Sequence, residues 1–161
     1  MKKQILFFSK VFFMTIFVLS IADISKAQSN SVFLNLENLI LYKVYQKDSV
    51  FTKLGQPDHY KSHTSEFGLN EEYEYGINVI MFSENGKFSG FALLDSRFAI
   101  FSSLIPGGIR VGDSVSKFQQ LSFGNLEARD ESTYAFMDNP KNDSPLIVHH
   151  SNGIITKLLL F

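Results

Sequence analysis

The chain has 161 residues, with 15 basic and 16 acidic side chains and no cysteine. The near-neutral balance argues against nucleic acid as a partner, because nucleic-acid binders carry a basic stripe that displaces phosphate counterions. Without cysteine the chain has no disulfides, no thiolate metal sites and no cysteine to acylate as in lipoproteins. Aromatic residues make up 14% of the chain, which predicts a globular protein.

The segment 1–27 has the features of a cleavable secretory signal. Lys2 and Lys3 precede a largely apolar stretch whose uncharged part, Val11 to Ala22, is about half the ~20 residues that span a bilayer. Ser25-Lys26-Ala27 then supplies small residues for signal peptidase. Cleavage there leaves a mature chain, 28–161, in which acidic side chains outnumber basic ones, and this negative charge disfavours an anionic membrane surface. The alternative is an uncleaved N-terminal anchor.

The remaining sequence contains a repeated pattern. Asn78–Leu94 and Pro145–Phe161 each have two β-rich runs around Asn-Gly, a strong hairpin signal because both turn residues take a positive φ. Lys47–Leu54 and Gly112–Gln119 share Asp-Ser-Val, and their separation in the chain is nearly the same as that of the two hairpins. Two matches in the same order predict an internal duplication.

Each copy is predicted to begin with a short helix. Asp48 and Asp113 are expected to cap the free amides of its first turn. Leu54–Asp58 ends the first helix, because glycine suits the position after a helix and proline cannot continue it. One strand then precedes each hairpin, at Glu71–Gly76 and Ser132–Met137. The other predicted elements are a helix or strand within Val32–Val44, a strand at Phe98–Phe101, and loops around His59, around His63 and at Asp138–Ser144.

These elements predict an α+β fold. Residues 28–161 form one domain of two α-β-β-β repeats, about 33–97 and 98–161, which build an antiparallel sheet with helices on one face. Both sides of the hairpins are largely apolar, whereas a sheet covered on one face alternates more cleanly. The second face is therefore either covered by the N-terminal segment and loops or open to a partner.

No pattern in the sequence predicts catalysis, a metal site or a cofactor. His149 and His150 are adjacent on a strand and point to opposite sides, whereas a zinc site needs three or four convergent ligands. Glu72 and Glu74 share a strand face and are interpreted as a solvated edge. The chain has neither a Gly-x-Ser-x-Gly elbow nor a glycine-rich phosphate loop. We therefore expect a protein that is not an enzyme.

Two short motifs resemble those of a known family. Gly108–Ser114 has the pattern Gly-x-x-x-Gly-Asp-Ser before a helix, and Leu54–Asp58 has Leu-Gly-x-Pro-Asp after one. With the following strands and the duplication, residues 44–161 are similar to the β-lactamase-inhibitor-protein-like fold, whose single-unit relatives are the SmpA/OmlA outer-membrane assembly lipoproteins. The resemblance implies a concave antiparallel sheet, flanked by helices, that grips another protein through aromatic side chains.

Aromatic side chains are the first candidates for a binding surface, because they dominate interface energetics. Two pairs lie at the same spacing on the first predicted strand of each copy; the alternative is that they pack beneath the helices. Hairpin pairing places Met81 with Phe88, and His150 with Lys157. The predicted protein-binding set is Tyr73, Tyr75, Met81, Phe88, Tyr134, Phe136, His150 and Lys157. We expect at least three of these on one exposed sheet face.

The sequence thus predicts an exported, non-enzymatic domain, periplasmic or secreted, that binds another extracytoplasmic protein through a sheet face. It is not expected to stay inserted in a membrane after processing. Two narrower alternatives remain open: an inhibitor or immunity protein for a specific enzyme, and an accessory protein of envelope assembly.

Overall fold

The computed structural model describes residues 34–65, 68–102, 105–119, 126–136 and 144–161. The predicted signal and all but the last residue of the predicted loop at Asp138–Ser144 lie outside the described residues, so signal cleavage stays a prediction. The first half of the chain contains β1 (Asn35–Leu36), β2 (Leu39–Ile40), α1 (Lys47–Leu54), β3 (His59–Ser65), β4 (Gly68–Tyr75), β5 (Asn78–Ser83) and β6 (Lys87–Leu93). The second half contains β7 (Ile100–Ser102), β8 (Ile105–Ile109), α2 (Ser116–Gln119), β9 (Leu126–Asp130), β10 (Thr133–Phe136), β11 (Leu146–Ser151) and β12 (Ile154–Leu160).

The described strands form two antiparallel sheets. One has four strands in the order β2-β1-β7-β8, and the other has eight in the order β3-β4-β5-β6-β12-β11-β10-β9. The halves meet at the centre of each sheet, where β1 pairs with β7 and β6 pairs with β12. From the centre of each sheet outward, the strands of the second half therefore follow the same arrangement as the strands of the first half.

The predicted α+β class is wrong, because the described chain is mostly β, with α-helices of eight and four residues. Segments that precede the predicted helix of each repeat add strands: β1 with β2 and β7 with β8 form hairpins that build the four-stranded sheet. Leu34, Leu36, Leu39 and Leu41 are buried on either side of a turn at Glu37-Asn38, where both residues have positive φ. The predicted loops around His59 and His63 are likewise part of a strand, β3.

One hydrophobic core holds the two sheets and both helices together. Leu36 of β1, Val50 of α1, Phe91 of β6 and Phe118 of α2 are each at most 1% exposed and belong to the same cluster. Burial of this apolar surface, at roughly 25 cal/mol per Å², is the main stabilising contribution that an antiparallel sheet gains from a covered face.

Both predicted Asn-Gly turns are confirmed. Asn85-Gly86 has φ values of 65° and 74°, and Asn152-Gly153 has 52° and 76°. The first loop is one residue longer than predicted, because it also includes Glu84, which follows directly on β5. Equivalent residues of the first strands, β5 and β11, are consequently one residue further apart in the chain than equivalent residues of the second strands, β6 and β12.

A β-bulge in each hairpin changes the predicted side-chain faces. Ser89 and Thr156 are the extra residues, because the register shifts across each of them. Past the first bulge, Phe88 lies opposite Phe82 rather than beside Met81, and the two rings are 5.6 Å apart in the core. A bulge puts two residues against one, which moves the following side chains to the other face.

The predicted helix caps are wrong, although the predicted end of α1 is confirmed. Gln46 is the N-cap of α1 and makes no side-chain cap, while Asp48 lies within the first turn. Asp113 lies before the start of α2 and accepts a hydrogen bond from the backbone N–H of Arg110. Gly55 follows α1 with a φ of 85°, a conformation that favours glycine.

Backbone hydrogen bonds also show that the shared Asp-Ser-Val triplets are not equivalent positions. In the first half, the N–H of Phe88 donates to the carbonyl of Lys43. In the second half, the N–H of Ile155 donates to the carbonyl of Asp113. The structural counterpart of Asp113 is therefore Lys43, not Asp48, so one of the two sequence matches that predicted the duplication is a coincidence.

Candidate protein-binding surface

The eight-stranded sheet has one face in the core and one face that is less buried, called here the outer face. Along β5, the side chains of Asn78, Ile80 and Phe82 are buried, whereas those of Val79 and Met81 are half-buried. This alternation follows from the two-residue period of a strand. It assigns Val79 and Met81 to the outer face.

A row of side chains crosses the outer face at the junction of the halves. The registers place Glu74 opposite Val79, Val79 opposite Ala92, Ala92 opposite Leu159, and Leu159 opposite Ile147. Directly opposite residues in a sheet share a face. Four apolar side chains, all half-buried, therefore lie next to one another across four strands.

Charged groups lie beside this apolar row. On the first half, Glu72 and Glu74 of β4 are half-buried, and Lys61 of β3 forms an ion pair with Glu74. On the second half, Lys157 is exposed and lies opposite His149. Charged side chains of both signs therefore border the apolar centre of the outer face.

The predicted binding residues are divided between the core and the outer face, so the expectation of an exposed aromatic face is wrong. Four of them are at most 2% exposed in the core: Tyr73, Tyr75, Phe88 and Phe136. Their strands turn the aromatic side toward the helices, as shown by Phe51 packing on Tyr73 and Phe118 on Phe136. Tyr134 and His150 are half-buried on that same side, and Met81 and Lys157 lie on the outer face.

His150 occupies in the second half the position that Phe82 has in the first. Its ring stacks on Tyr134 with the centroids 5.3 Å apart, and the rings of Tyr73 and Phe82 are 5.1 Å apart. Both imidazole nitrogens of His150 are buried, and neither has a hydrogen-bond partner in the part of the chain that the structure describes. A polar ring here takes the place of an apolar one.

A second group of side chains lies at the start of α1 and is called here the Tyr60 cluster: Lys47, Phe51, Tyr60, Glu71 and Tyr73. The Nζ atom of Lys47 is 3.6 Å from the centroid of the Tyr60 ring. The hydroxyls of Tyr60 and Tyr73 donate to the two carboxylate oxygens of Glu71, at 2.6 and 3.0 Å. Tyr60 thus contacts a cation through its ring face and a carboxylate through its hydroxyl, with two further rings close by.

Hydrogen bonding and burial keep the phenols of the Tyr60 cluster protonated. The hydrogen bond to Glu71, followed by burial, raises the pKa of Tyr60. Burial, followed by the hydrogen bond to Glu71, raises the pKa of Tyr73 well above its usual range. Both hydroxyls therefore remain donors to Glu71 at neutral pH.

A cleft of about 530 Å³ adjoins the Tyr60 cluster. It is lined by Lys47, Glu71, residues 44–46 and the Asn85-Gly86 turn. The cluster is not predicted from the sequence, because the contact of Tyr60 with Tyr73 depends on the pairing of β3 with β4. The segment that contains Tyr60 has no apolar alternation that would have indicated a strand.

The chain matches no known protein family, no characterised protein and no solved structure. No helix in the described ranges has the length and apolar character needed to cross a membrane. The described residues also contain no group of three or more His, Asp or Glu side chains that is arranged to hold a metal ion. The outer face and the Tyr60 cluster are the two candidate binding surfaces of the described residues.

Proposed function

We propose that the protein is an exported, non-enzymatic domain that binds another extracytoplasmic protein through the outer face of its eight-stranded sheet. One observation carries the proposal: the apolar row of Val79, Ala92, Leu159 and Ile147 on a face that the core does not use. A sheet face that stays in water normally has polar residues at such positions. Neighbouring apolar side chains on that face favour burial against a partner.

The charges around the row indicate what such a partner presents. Glu72 favours a basic group beside the apolar strip, and Lys157, two residues from Leu159 on β12, favours an acidic group. Charge complementarity of this kind sets the orientation of a complex and raises its association rate. We therefore propose a partner with an apolar strip that has a basic and an acidic group beside it.

Export and the family resemblance belong to the same proposal. The segment 1–27 supports a periplasmic or secreted location through its basic start, short apolar run and small-residue end. The resemblance to β-lactamase-inhibitor-like proteins implies the same use of a sheet as a protein-binding face. In this proposal the binding face is the outer face, and the aromatic residues named from the sequence belong to the core.

A charge placed in the apolar row tests the proposal. We expect Leu159→Glu to lower the affinity for the captured extracytoplasmic partner at least tenfold, as loss of a central interface contact does. Residues 28–161, immobilised and mixed with an extracytoplasmic extract, supply the partner. Titration of the purified partner then supplies the affinity.

The matched control is Ile154→Glu, which makes the same change on the same strand at a side chain that is already 45% exposed at the hairpin tip. It is expected to bind like the wild type. Circular dichroism and thermal unfolding establish that both variants are folded. Equal binding by folded Leu159→Glu and wild type would show that the outer face is not the interface.

A further inference from the structure

We infer that the Tyr60 cluster is a binding site for an alkylammonium group, and that Lys47 occupies this site in the free protein. Tyr60 lies opposite Tyr73 on the core side of the sheet, beside α1. The site is therefore separate from the outer face and does not depend on the function proposed for that face.

The position of the Lys47 ammonium shows what the cluster accepts. Nζ lies 3.6 Å from the ring centroid of Tyr60, 5.8 Å from that of Tyr73 and 5.9 Å from that of Phe51. Aromatic faces attract cations within about 6 Å, and cages of aromatic rings recognise methylated and quaternary ammonium groups. Glu71 adds a carboxylate that two phenol hydroxyls hold in place. Rings and carboxylate together match the chemistry of an alkylated ammonium ion.

The second half of the chain has the same strand pairing without this cluster. Ala128 lies opposite Tyr134 where Tyr60 lies opposite Tyr73. The lysine of α2, Lys117, forms an ion pair at 3.2 Å with Asp113 and has no aromatic partner among the described contacts. The scaffold therefore does not require the rings, the carboxylate and the lysine that come together in the first half.

Lys47 is placed so that an external cation can replace it. It is the first residue of α1, where the positive end of the helix dipole disfavours a cation. It also borders the open cleft, which gives the displaced side chain and an incoming group room to exchange. Because Tyr60 is 42% exposed, an external cation can replace the Lys47 ammonium at its ring without opening the hydrophobic core.

Removal of the resident ammonium tests the inference in the intact protein. The variant Lys47→Met keeps an unbranched side chain as far as Cε and removes the ammonium group. The probes are tetramethylammonium chloride and Nα-acetyl-lysine amide, each compared with sodium chloride at the same ionic strength. Intrinsic tyrosine fluorescence reports binding, because the chain has six tyrosines and no tryptophan.

We expect Lys47→Met to bind at least one probe with a dissociation constant at least tenfold lower than that of the wild type. Adding Tyr60→Leu to Lys47→Met should abolish that gain. The matched control, Lys117→Met, removes the lysine of the other helix and should bind like the wild type. Tighter binding of the quaternary ion would assign the site to a methylated ammonium. Tighter binding of the lysine amide would assign it to a lysine side chain.

Three outcomes would overturn the inference. One is equal affinity of Lys47→Met and wild type for both probes, and another is an affinity gain that survives Tyr60→Leu. The third is the same gain in Lys117→Met, which would indicate a general charge effect. Far-ultraviolet circular dichroism, recorded for every variant, keeps loss of folding distinct from loss of the site. Failure here leaves the outer-face proposal unaffected, because that test uses a different surface and a different ligand.

Discussion

At the scale of single residues, the comparison of His150 with Phe82 shows how equivalent positions in the two halves differ in chemistry. Each residue packs its ring against that of a tyrosine on the neighbouring strand, with ring centroids 5.3 and 5.1 Å apart. His150 has two buried nitrogens without a described partner, and a buried polar atom without a hydrogen bond costs about 1–3 kcal/mol. We therefore predict that His150→Phe raises the free energy of unfolding by about 1 kcal/mol, measured by urea denaturation.

The reciprocal variant is the control for this prediction. Phe82→His places an imidazole at a site that is 1% exposed, and it should lower the free energy of unfolding by about 2 kcal/mol or more. The two substitutions change the free energy of unfolding in opposite directions only if the apolar ring is the better fit at both positions. A loss of stability in His150→Phe would contradict the prediction.

Only part of the residue-scale picture follows from the sequence. The alternation of Tyr73 and Tyr75 with Glu72 and Glu74 correctly predicts two opposite faces, and the structure buries the tyrosine face. A strand pattern shows which side chains share a face, but the covering elements decide which face is buried. The rings of Phe51 and Tyr73 have their centroids 5.7 Å apart. This contact depends on where α1 packs, and no local sequence pattern encodes the position of α1.

At the scale of elements, turns were predictable and registers were not. Asn-Gly determines a turn locally, because both residues must take a positive φ. The bulges at Ser89 and Thr156 arise from pairing with neighbouring strands, and neither residue is an obvious bulge signal. One unpredicted bulge is enough to move Phe88 from the expected outer face into the core, since a shift by one residue exchanges the faces.

Gly90, directly after the first bulge, gives a test of close packing where the halves join. A Cβ atom at Gly90 would lie 2.3 Å from the carbonyl oxygen of Leu160 on β12, so the backbone of one strand would have to move. We predict that Gly90→Ala lowers the free energy of unfolding by about 2 kcal/mol, as overpacking of a core does. Chemical denaturation followed by circular dichroism measures the change.

Gly107→Ala is the control for Gly90→Ala, because a Cβ at Gly107 meets no atom within 4 Å. Gly107 also lies in a strand, β8, and is exposed, so the same substitution there should change stability by less than about 0.5 kcal/mol. Equal effects of the two substitutions would show that the contact with Leu160 does not decide the result.

At the scale of the whole molecule, the fold class was missed because the second sheet depends on a distant pairing. Asn35 near the start of the described chain pairs with Phe101 in the second half, and this contact joins the hairpins of the two halves into one sheet. Neither short hairpin is stable alone in water, so their sequences predict at most isolated strands. The duplicated order of elements predicts similar halves but does not indicate that β6 pairs with β12.

The joined sheets and the shared core predict that the two halves unfold together. The pairing of β6 with β12 continues the eight-stranded sheet across the halves, and side chains from both belong to one core. Five of the six tyrosines, at positions 42, 45, 60, 73 and 75, lie in the first half, and the chain has no tryptophan. Tyrosine fluorescence therefore reports mainly on the first half, while far-ultraviolet circular dichroism reports on all strands.

A core substitution confined to the second half uses this difference between the probes. Val148 is 0% exposed and lies opposite Tyr134, and Val148→Ala should lower the free energy of unfolding by about 2 kcal/mol through the cavity that it leaves. If the chain is one cooperative unit, the fluorescence and dichroism transitions shift to the same lower denaturant midpoint. A fluorescence transition that stays at the wild-type midpoint, with dichroism showing two steps, would mean that each half folds independently. The continuity of sheet and core across β6 and β12 favours the single transition.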